Sequence, residues 1–336
     1  THITRQAFMP FGDVIDAREP PLLRWFCGGR TNAAFNELDR QCIANGRDIA
    51  EVGCIEEHAD AAPPVCVRRL DILIESVMAA TALHQYMRMY ADGVGLVRPL
   101  VCLFLPNRTV SAVMAAAAKR LGLPYVPVAS GTSAWALADR VRDSGAAICV
   151  TSCALRPTAE EAIALLEMSP PQLLEVEDLL ARARAQPSGQ DVLAARAMAA
   201  DGAIPPRWMP ALWRFAPPEP VESSHPLFVL YTSGSTGKPK GIVHVHGGYL
   251  VGLCRSADLV LGLSLERPER GRSADARQGG DGSSETLLVV ATPGWITGQS
   301  YMLSAAMLTR TPSLLLEGSP LSPPKRIATL ISRHAV

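Results

Sequence analysis

The sequence predicts an α/β fold in which parallel strands are connected by crossover helices. Three apolar, strand-like runs follow one another at residues 100–105, 125–128 and 146–151. Helical patterns at residues 110–121 and 134–144 separate them. Strands that alternate with helices of this length favour a parallel sheet, because parallel neighbours need a long connection that a helix can supply.

The remaining pattern extends this alternation on both sides. Apolar residues recur at intervals of three and four between residues 69 and 90, which predicts an amphipathic helix. Residues 155–225 are predicted to be helical segments separated by prolines. Strands are predicted at residues 226–231 and 286–291, and an apolar helix is predicted at residues 248–263.

Composition divides the chain into unequal parts. Residues 1–66 mix short apolar pieces with Gly, Pro and Asp and are interpreted as an N-terminal arm, whereas residues 67–336 are interpreted as part of one large α/β domain. Residues 264–285 are polar, charged and glycine-rich, so a poorly ordered loop is predicted there.

Charge, hydropathy and cysteine content limit the class of protein. Lys+Arg and Asp+Glu both number 32, so no general attraction to nucleic acid or an anionic membrane is expected. No apolar run reaches the ~18 residues of a membrane span. The eight cysteines form no paired C-x-x-C framework, which favours reduced, mostly buried thiols in a cytoplasmic protein. Because the sequence starts at Thr1 rather than Met, this expectation leaves import into an organelle open.

No metal site is expected from the histidine and cysteine spacing. His244 and His246 alternate along a possible strand, but no third ligand stands at a suitable distance in sequence. Both are therefore interpreted as structural histidines.

One stretch, YTSGSTGKPKG at residues 231–241, concentrates glycines, hydroxyls and lysines more densely than any other. Its glycines allow the backbone to approach a ligand closely. Successive backbone N–H groups in such a turn form an anion-binding concavity, and lysines add positive charge for phosphate oxygens. The sequence therefore predicts a polyphosphate-binding loop. Its predicted members are Thr232, Ser233, Gly234, Ser235, Thr236, Gly237 and Lys238, with Lys240 in support.

Three other interpretations of the loop are weaker. A Walker A loop needs four residues between its glycines and a hydroxyl after its lysine, whereas Gly234 and Gly237 are separated by two residues and Pro239 follows Lys238. A serine-hydrolase elbow, G-x-S-x-G, fails because no glycine stands two residues before Ser233 or Ser235. A flexible Gly/Ser surface loop does not explain two lysines, a proline and a preceding apolar strand in one run.

At residues 232–241 the chain resembles the adenylate-forming superfamily of acyl-CoA synthetases, luciferases and peptide-synthetase adenylation domains. Three further segments resemble its acetyl-CoA and propionyl-CoA synthetase branch: RWFCGGRTNAAFNELDRQ at 24–41, HVHGGYLVG at 244–252 and GWITGQSY at 294–301. The longer segment TPGWITGQSY, at residues 292–301, is similar to the ligase portion of propionyl-CoA synthases, which activate 3-hydroxypropionate.

This resemblance implies the N-terminal portion of the adenylate-forming enzyme fold and an AMP-forming ligase. ATP, with Mg²⁺, would react with a short-chain acid such as acetate, propionate or 3-hydroxypropionate to give acyl-AMP, and the thiol of coenzyme A would displace AMP. Ile296 and Thr297 would line the acyl pocket, with Trp295 packed beneath it. Arg156 is the nearest candidate for the coenzyme A nucleotide.

The resemblance also implies that the chain is incomplete. The catalytic lysine of the family would lie beyond residue 336, so no catalytic residue is assigned. Two alternatives stay open: a truncated or diverged nucleotide-binding chain without catalysis, and an adenylation domain that loads a carrier-protein thiol. The expected partner is a small carboxylic acid, with neither nucleic acid nor membrane, and no oligomeric state is predicted.

Overall fold

The computed structural model describes residues 11–20, 22–41, 51–59, 62–94, 99–167, 169–198, 212–232, 238–263, 265, 285–334 and 336. In chain order its elements are β1 (Asp13–Glu19), β2 (Leu22–Cys27), β3 (Arg30–Thr31), the π-helical turn π1 (Phe35–Asp39), β4 (Val52–Glu57), β5 (Val65–Arg68), α1 (Arg69–Val94), β6 (Val101–Leu105), α2 (Thr109–Arg120), β7 (Tyr125–Ala129), α3 (Ala134–Ser144), β8 (Ile148–Thr151), α4 (Arg156–Ala164), β9 (Gln172–Glu175), α5 (Val176–Ala185), α6 (Pro187–Met198), β10 (Val221–Glu222), β11 (Pro226–Thr232), β12 (Lys240–Val245), α7 (His246–Leu259), β13 (Leu287–Leu288), π2 (Gly298–Ala305), α8 (Ala306–Thr309), β14 (Ser313–Leu316) and α9 (Arg326–His334).

A six-stranded sheet in the order β12-β11-β7-β6-β8-β9 forms the centre of the fold. Every neighbouring pair in it is parallel except β11 and β12, which are antiparallel. The predicted α/β class with crossover helices is confirmed. Strand β9 lies in the region predicted to be helical. That prediction was wrong at β9, because a four-residue segment carries too little pattern to reveal that it pairs with β8.

Helices cover both faces of this sheet. Side chains of β6 alternate between the faces: Val101, Leu103 and Leu105 join a core cluster with α1, α2 and α5, whereas Cys102 and Phe104 join a second cluster with α3 and α4. A strand that is buried on both faces is expected to be apolar along its whole length, as β6 is.

A second, four-stranded sheet in the order β13-β14-β4-β5 packs beside the first. Strands β4 and β14 are parallel although they are far apart in sequence. The sequence predicted neither of them, and β13 is shorter than the strand predicted at residues 286–291. Strand β5 crosses residue 66, and the domain boundary proposed there stays a prediction.

Two expectations from composition can be compared with the structure. The seven cysteines that it describes are free thiols, and three of them, Cys54, Cys102 and Cys149, are buried. The expectation that most are buried is therefore met only in part. None of the described helices is both long enough and apolar enough to cross a membrane.

Buried ion pairs connect π1 to the end of α2. The Lys119 ammonium lies 2.8 Å from Glu37 Oε2, and the Arg120 guanidinium lies 2.5 Å from Asp39 Oδ2. All four side chains are almost completely buried. Asn32 adds a hydrogen bond of 2.7 Å from Nδ2 to the Lys119 carbonyl, one of the last carbonyls of α2. The segment before residue 66 is thus joined to the central layers by charge as well as by packing.

Glu56 of β4 joins the second sheet to the start of α2. Its carboxylate accepts hydrogen bonds from the Thr109 backbone N–H at 2.6 Å and from Arg108 Nε at 3.0 Å. Burial raises the pKa of this carboxyl, but the donors at Thr109 and Arg108 outweigh burial, so the pKa is lowered. A carboxyl whose pKa is lowered by folding adds stability above its unfolded pKa, and that stability is lost as the pH falls through the folded pKa.

We therefore expect Glu56→Gln to lower the free energy of unfolding at neutral pH and to bring the variant closer to the wild type as the medium is acidified. Urea unfolding followed between about pH 7 and pH 3 measures this, because folding is linked to protonation of the carboxyl. Glu161→Gln, at an exposed position of α4, is the matched control. The prediction would be contradicted if the difference in the free energy of unfolding between Glu56→Gln and the wild type did not change with pH.

Candidate functional site

The predicted phosphate loop connects the two strands of a hairpin, β11 and β12. Their pairing runs from Pro226 opposite Val245 to Thr232 opposite Lys240. Thr232 ends β11, so the loop emerges at the carboxyl edge of the parallel strands. That edge is where open α/β sheets bind ligands. Five predicted members of the loop lie outside the described residues: Ser233, Gly234, Ser235, Thr236 and Gly237.

The described members of the loop are exposed. Thr232, Lys238 and Lys240 all face solvent. Within the described part of the chain, neither lysine forms an ion pair with a carboxylate. Both ammonium groups are therefore available to an anion in the loop.

Tyr231 connects the loop end of the hairpin to helix α3. Its hydroxyl donates a hydrogen bond of 2.7 Å to Asp143 Oδ2. Burial raises the pKa of Tyr231, and the interaction with Asp143 raises it further. The hydroxyl therefore keeps its proton and remains a donor. Gly241 stands opposite Tyr231 in the pairing, and a Cβ there would lie 2.9 Å from Val229 Cγ1 and 3.4 Å from the Tyr231 ring. Glycine at 241 therefore allows the two strands to pack closely where the loop begins.

The segment after β13 reaches the same edge of the sheet. A Cβ at Gly294 would lie 2.3 Å from the backbone nitrogen of Ala129, which ends β7, so only glycine permits this approach. The buried side chain of Gln299 holds the segment in place. Its Nε2 donates to the Pro293 carbonyl at 2.6 Å, and its Oε1 accepts from the Tyr125 hydroxyl at 2.8 Å.

Several buried polar atoms at this edge have no partner among the described residues. They are Asn107 Oδ1 after β6, the hydroxyls of Thr151 and Ser152 at the end of β8, and the hydroxyl of Thr292. Asn107 Nδ2 donates to the carbonyls of Leu316 and Ala291 at 2.9 and 3.3 Å, which connects both sheets here. Connections after β6 and β8 leave to opposite faces, so a crevice is expected between them. Buried polar atoms usually have partners, so this crevice suits ordered water or a polar ligand.

A family model described as "AMP-binding enzyme" matches residues 88–336. This chain belongs to the AMP-binding enzyme family. The acetyl-coenzyme A synthetase of Mycobacterium bovis is 29% identical over 343 residues, which cover 97% of this chain and 46% of that protein. The acetyl-coenzyme A synthetase of Pyrobaculum arsenaticum is 31% identical, covering 98% of this chain and 46% of that protein.

Among the relatives is also a 3-hydroxypropionyl-coenzyme A synthetase, from Sulfurisphaera tokodaii. It is 29% identical to this chain, and the alignment covers 97% of this chain and 45% of that protein. The chain spans about half the length of the curated relatives it matches. The predicted resemblance to AMP-binding enzymes is thus confirmed, and the match includes the phosphate loop and the segment around Gly294.

The segment expected to form the acyl pocket lies at the surface of the described structure. Trp295, expected to pack beneath the pocket, is 68% exposed, and its role there stays a prediction. Ile296 is 42% exposed and Thr297 is exposed as well. Because Gly294 contacts Ala129 and Gln299 holds the preceding carbonyl, the turn is held with these three side chains towards solvent. Trp295, Ile296 and Thr297 therefore border the carboxyl edge, and their place in an acyl pocket stays a prediction.

Arg156, the predicted coenzyme A contact, starts helix α4 and is already paired. Its guanidinium lies 2.7 Å from Glu175 and 2.7 Å from Glu160. Hydrogen bonds to Glu175 and then Glu160 raise the pKa of Arg156. A phosphate at Arg156 would have to displace one of these carboxylates, and the role of Arg156 stays a prediction.

The two histidines after the loop have structural partners. His246 Nδ1 accepts a hydrogen bond of 3.1 Å from the Ala33 backbone N–H, and the His244 ring lies 4.6 Å from the Phe228 ring. Burial lowers the pKa of His244. Over the described ranges, no cluster of three or more His, Cys, Asp or Glu residues is arranged to hold a metal ion.

Sequence reasoning did not identify the residues that position this site. Gln299 lies inside the segment GWITGQSY, which implied no role for it, and Asn107 follows the first predicted strand, at residues 100–105. A polar residue directly after an apolar parallel strand is a usable signal for Asn107. Nothing local marks Gln299 or Asp143, because their partners are distant in sequence. Together these residues set the ends of the predicted phosphate loop beside a crevice of buried polar atoms that have no partner among the described residues.

Proposed function

We propose that this chain supplies the ATP-phosphate site and the acid site of an AMP-forming ligase that activates a short-chain carboxylate and transfers it to coenzyme A. The observation that carries the proposal is the hairpin, which presents Thr232, Lys238 and Lys240 at the carboxyl edge, where Gly294 brings the acid-binding segment against Ala129. The described ends of the loop and this segment therefore both lie at the edge at which α/β enzymes bind substrates.

The two lysines would hold the β- and γ-phosphates of ATP as point charges, together with N–H groups of the loop. Magnesium would accompany ATP and neutralise part of the phosphate charge. The carboxylate of the acid attacks the α-phosphorus, an acyl–phosphate bond forms, and pyrophosphate leaves. The thiol of coenzyme A then displaces AMP from the acyl carbon. Holding both reactants in one geometry is the main contribution that the chain makes.

Relatives named for two acids support a short acid but do not select one. Ile296 and Thr297 would contact the acid at the start of π2. Because they border an open edge, we propose that acetate, propionate and 3-hydroxypropionate are the candidates to compare. Arg156 would contact the nucleotide of coenzyme A only if a phosphate of that nucleotide displaced Glu160 or Glu175 from its guanidinium.

Carboxylate-dependent exchange of labelled pyrophosphate into ATP tests this function. We expect exchange that requires one of the three acids, and the acid that supports it most strongly is the substrate. Exchange that is independent of any acid would overturn the proposal. No exchange by this chain or by a version extended past Val336, together with retained ATP binding, would replace it by the alternative of a nucleotide-binding chain without catalysis.

A further inference from the structure

A cavity of about 1240 Å³ lies between the N-terminal strands and helix α7, far from the phosphate loop. One part of its lining carries aromatic residues such as Trp25 and Phe26, and another part is formed by α7 through residues such as Leu250 and Val251. Small-molecule sites occupy roughly 300–1,000 Å³, are mostly apolar and carry a few polar groups that orient the ligand. This cavity is large enough for such a ligand.

The β11–β12 hairpin separates the cavity from the phosphate loop. Ser223 and Gly247 line the cavity, and they flank the end of the hairpin at which Pro226 pairs with Val245. The loop lies at the other end, next to Thr232. A strand rises about 3.3 Å per residue, so the two ends are roughly 20 Å apart. The cavity and the described ends of the loop therefore lie at opposite ends of the hairpin.

Positive charge dominates the cavity. Arg30, Arg40 and Arg255 are the cationic side chains among its described lining residues, and Asp258 is the anionic one. Arg255 and Asp258 are only loosely paired, at 4.0 Å, and both are exposed. No carboxylate in the described ranges forms an ion pair with Arg30 or Arg40. Guanidinium groups of this kind favour phosphate, which they bind through two parallel hydrogen bonds.

The aromatic wall is held in a conformation that few residues adopt. Phe26 has φ of 53°, in the left-handed region that is unfavourable for a side chain of this size. The single hydroxyl proton of Ser223 is shared between the carbonyl oxygens of Trp25 and Phe26, which lie 2.5 and 2.9 Å from Oγ, and the Phe11 ring lies 4.9 Å from the Phe26 ring. Strained residues persist where surrounding contacts enforce them, and they are concentrated at ligand sites.

Glycines shape the part of the lining that α7 forms. A Cβ at Gly247 would lie 2.8 Å from Ser223 Cβ, so this glycine lets α7 approach the N-terminal strands. Gly252 also lines the cavity, but a Cβ there would meet no atom within 4 Å. The cavity is therefore open at Gly252, and a larger side chain could be placed there without a backbone clash.

We propose that this cavity binds a planar aromatic phosphate, the chemistry of a nucleotide, at a site separate from the phosphate loop. Arg30, Arg40 and Arg255 bind the phosphate, and the aromatic wall stacks on the ring, since every base offers a π-face to an aromatic side chain. The inference does not depend on the proposed ligase activity, because none of the residues that carry it belongs to the loop or to the segment around Gly294.

Cys254 provides a local reporter for this site, because its thiol lines the cavity. Burial raises the pKa of Cys254, and the nearby Arg40 acts in the opposite direction. The experiment measures alkylation of Cys254 by iodoacetamide, by peptide mass spectrometry on the full chain, with AMP, adenosine or inorganic phosphate added. Exposed Cys66 on β5 is the internal reference. With AMP at ten times its Kd about a tenth of the cavities are empty, so the Cys254 rate should fall about tenfold.

Four variants test where AMP binds. For each variant, the alkylation rate of Cys254 with AMP is divided by the rate without AMP. Arg40→Ala, which removes a cation, and Gly252→Leu, which fills open space, should abolish it. Arg24→Ala, on β2 with Glu19 as its exposed partner, and Lys238→Ala, in the phosphate loop, should retain it.

Three results would overturn the proposal: no protection by AMP at any concentration, protection that survives both Arg40→Ala and Gly252→Leu, and protection that Lys238→Ala removes. The last would show that AMP acts from the phosphate loop. Protection by adenosine equal to that by AMP would refute the phosphate contact, and protection by inorganic phosphate equal to that by AMP would refute the contact with the ring.

Discussion

Asp39→Ala is expected to lower the free energy of unfolding by about 3–5 kcal/mol, because it leaves the Arg120 guanidinium buried without its counter-charge. Both side chains have 0% exposure. The Trp213 indole N–H, which donates to Asp39 Oδ1 at 2.7 Å, would lose its acceptor as well. Urea unfolding measures the loss as a lower midpoint.

An exposed pair on the same protein supplies the matched control. Asp139 and Arg142 lie 2.6 Å apart on α3, at side-chain exposures of 32% and 46%. Asp139→Ala should cost no more than about 1 kcal/mol, since solvent screens surface pairs. The double variant Asp39→Leu/Arg120→Met should be more stable than Asp39→Ala, because it removes both charges. Equal losses for Asp39→Ala and Asp139→Ala would contradict the burial argument.

Lys238→Ala should weaken ATP binding roughly 10-fold to 150-fold, which corresponds to the ~1.5–3 kcal/mol of a hydrogen bond to a charged group. The Lys238 ammonium is exposed beside the loop and is unpaired within the described chain, so its whole charge is available to phosphate. Equilibrium binding of a fluorescent ATP analogue measures the change. Raising the salt concentration should narrow the difference, because ions screen an exposed charge.

The control for this variant removes the same charge elsewhere. Lys325 precedes α9 and has φ of 69°, a conformation that asparagine tolerates better than other non-glycine residues. Lys325→Asn should therefore leave ATP binding unchanged. If Lys238→Ala bound ATP as tightly as wild type while Lys325→Asn did too, Lys238 would have no part in the phosphate site.

The sequence predictions were accurate for elements that are stabilised by residues close to them in sequence. Helix α3 was predicted at residues 134–144 and is found at Ala134–Ser144. Its ends have local causes: the Ser133 side chain accepts from the Ala136 N–H, and Gly145 has φ of 63° after the last turn. Strands β6, β7 and β8 were recognisable for a related reason, because burial on both faces leaves an unbroken apolar run.

Tertiary contacts decided the features that were missed. Strand β9 and the pairing of β4 with β14 arise from partners elsewhere in the chain. The buried charges of Glu37 and Asp39 resemble an ordinary polar face until α2 brings Lys119 and Arg120 against them. Patterns of hydrophobicity do not encode such pairings, since the same residue types occur on exposed helices.

The candidate site shows the same division. Glycine spacing and two lysines were sufficient to predict a phosphate loop, because a backbone that closely approaches an anion needs those residue types close together in sequence. The outward direction of Trp295 and the support from Gln299 depend on contacts such as that of Gly294 with Ala129, and the cavity beside α7 depends on the approach of Gly247 to Ser223. Only folding brings these segments together, so residues separated by more than a hundred positions form one edge of the sheet.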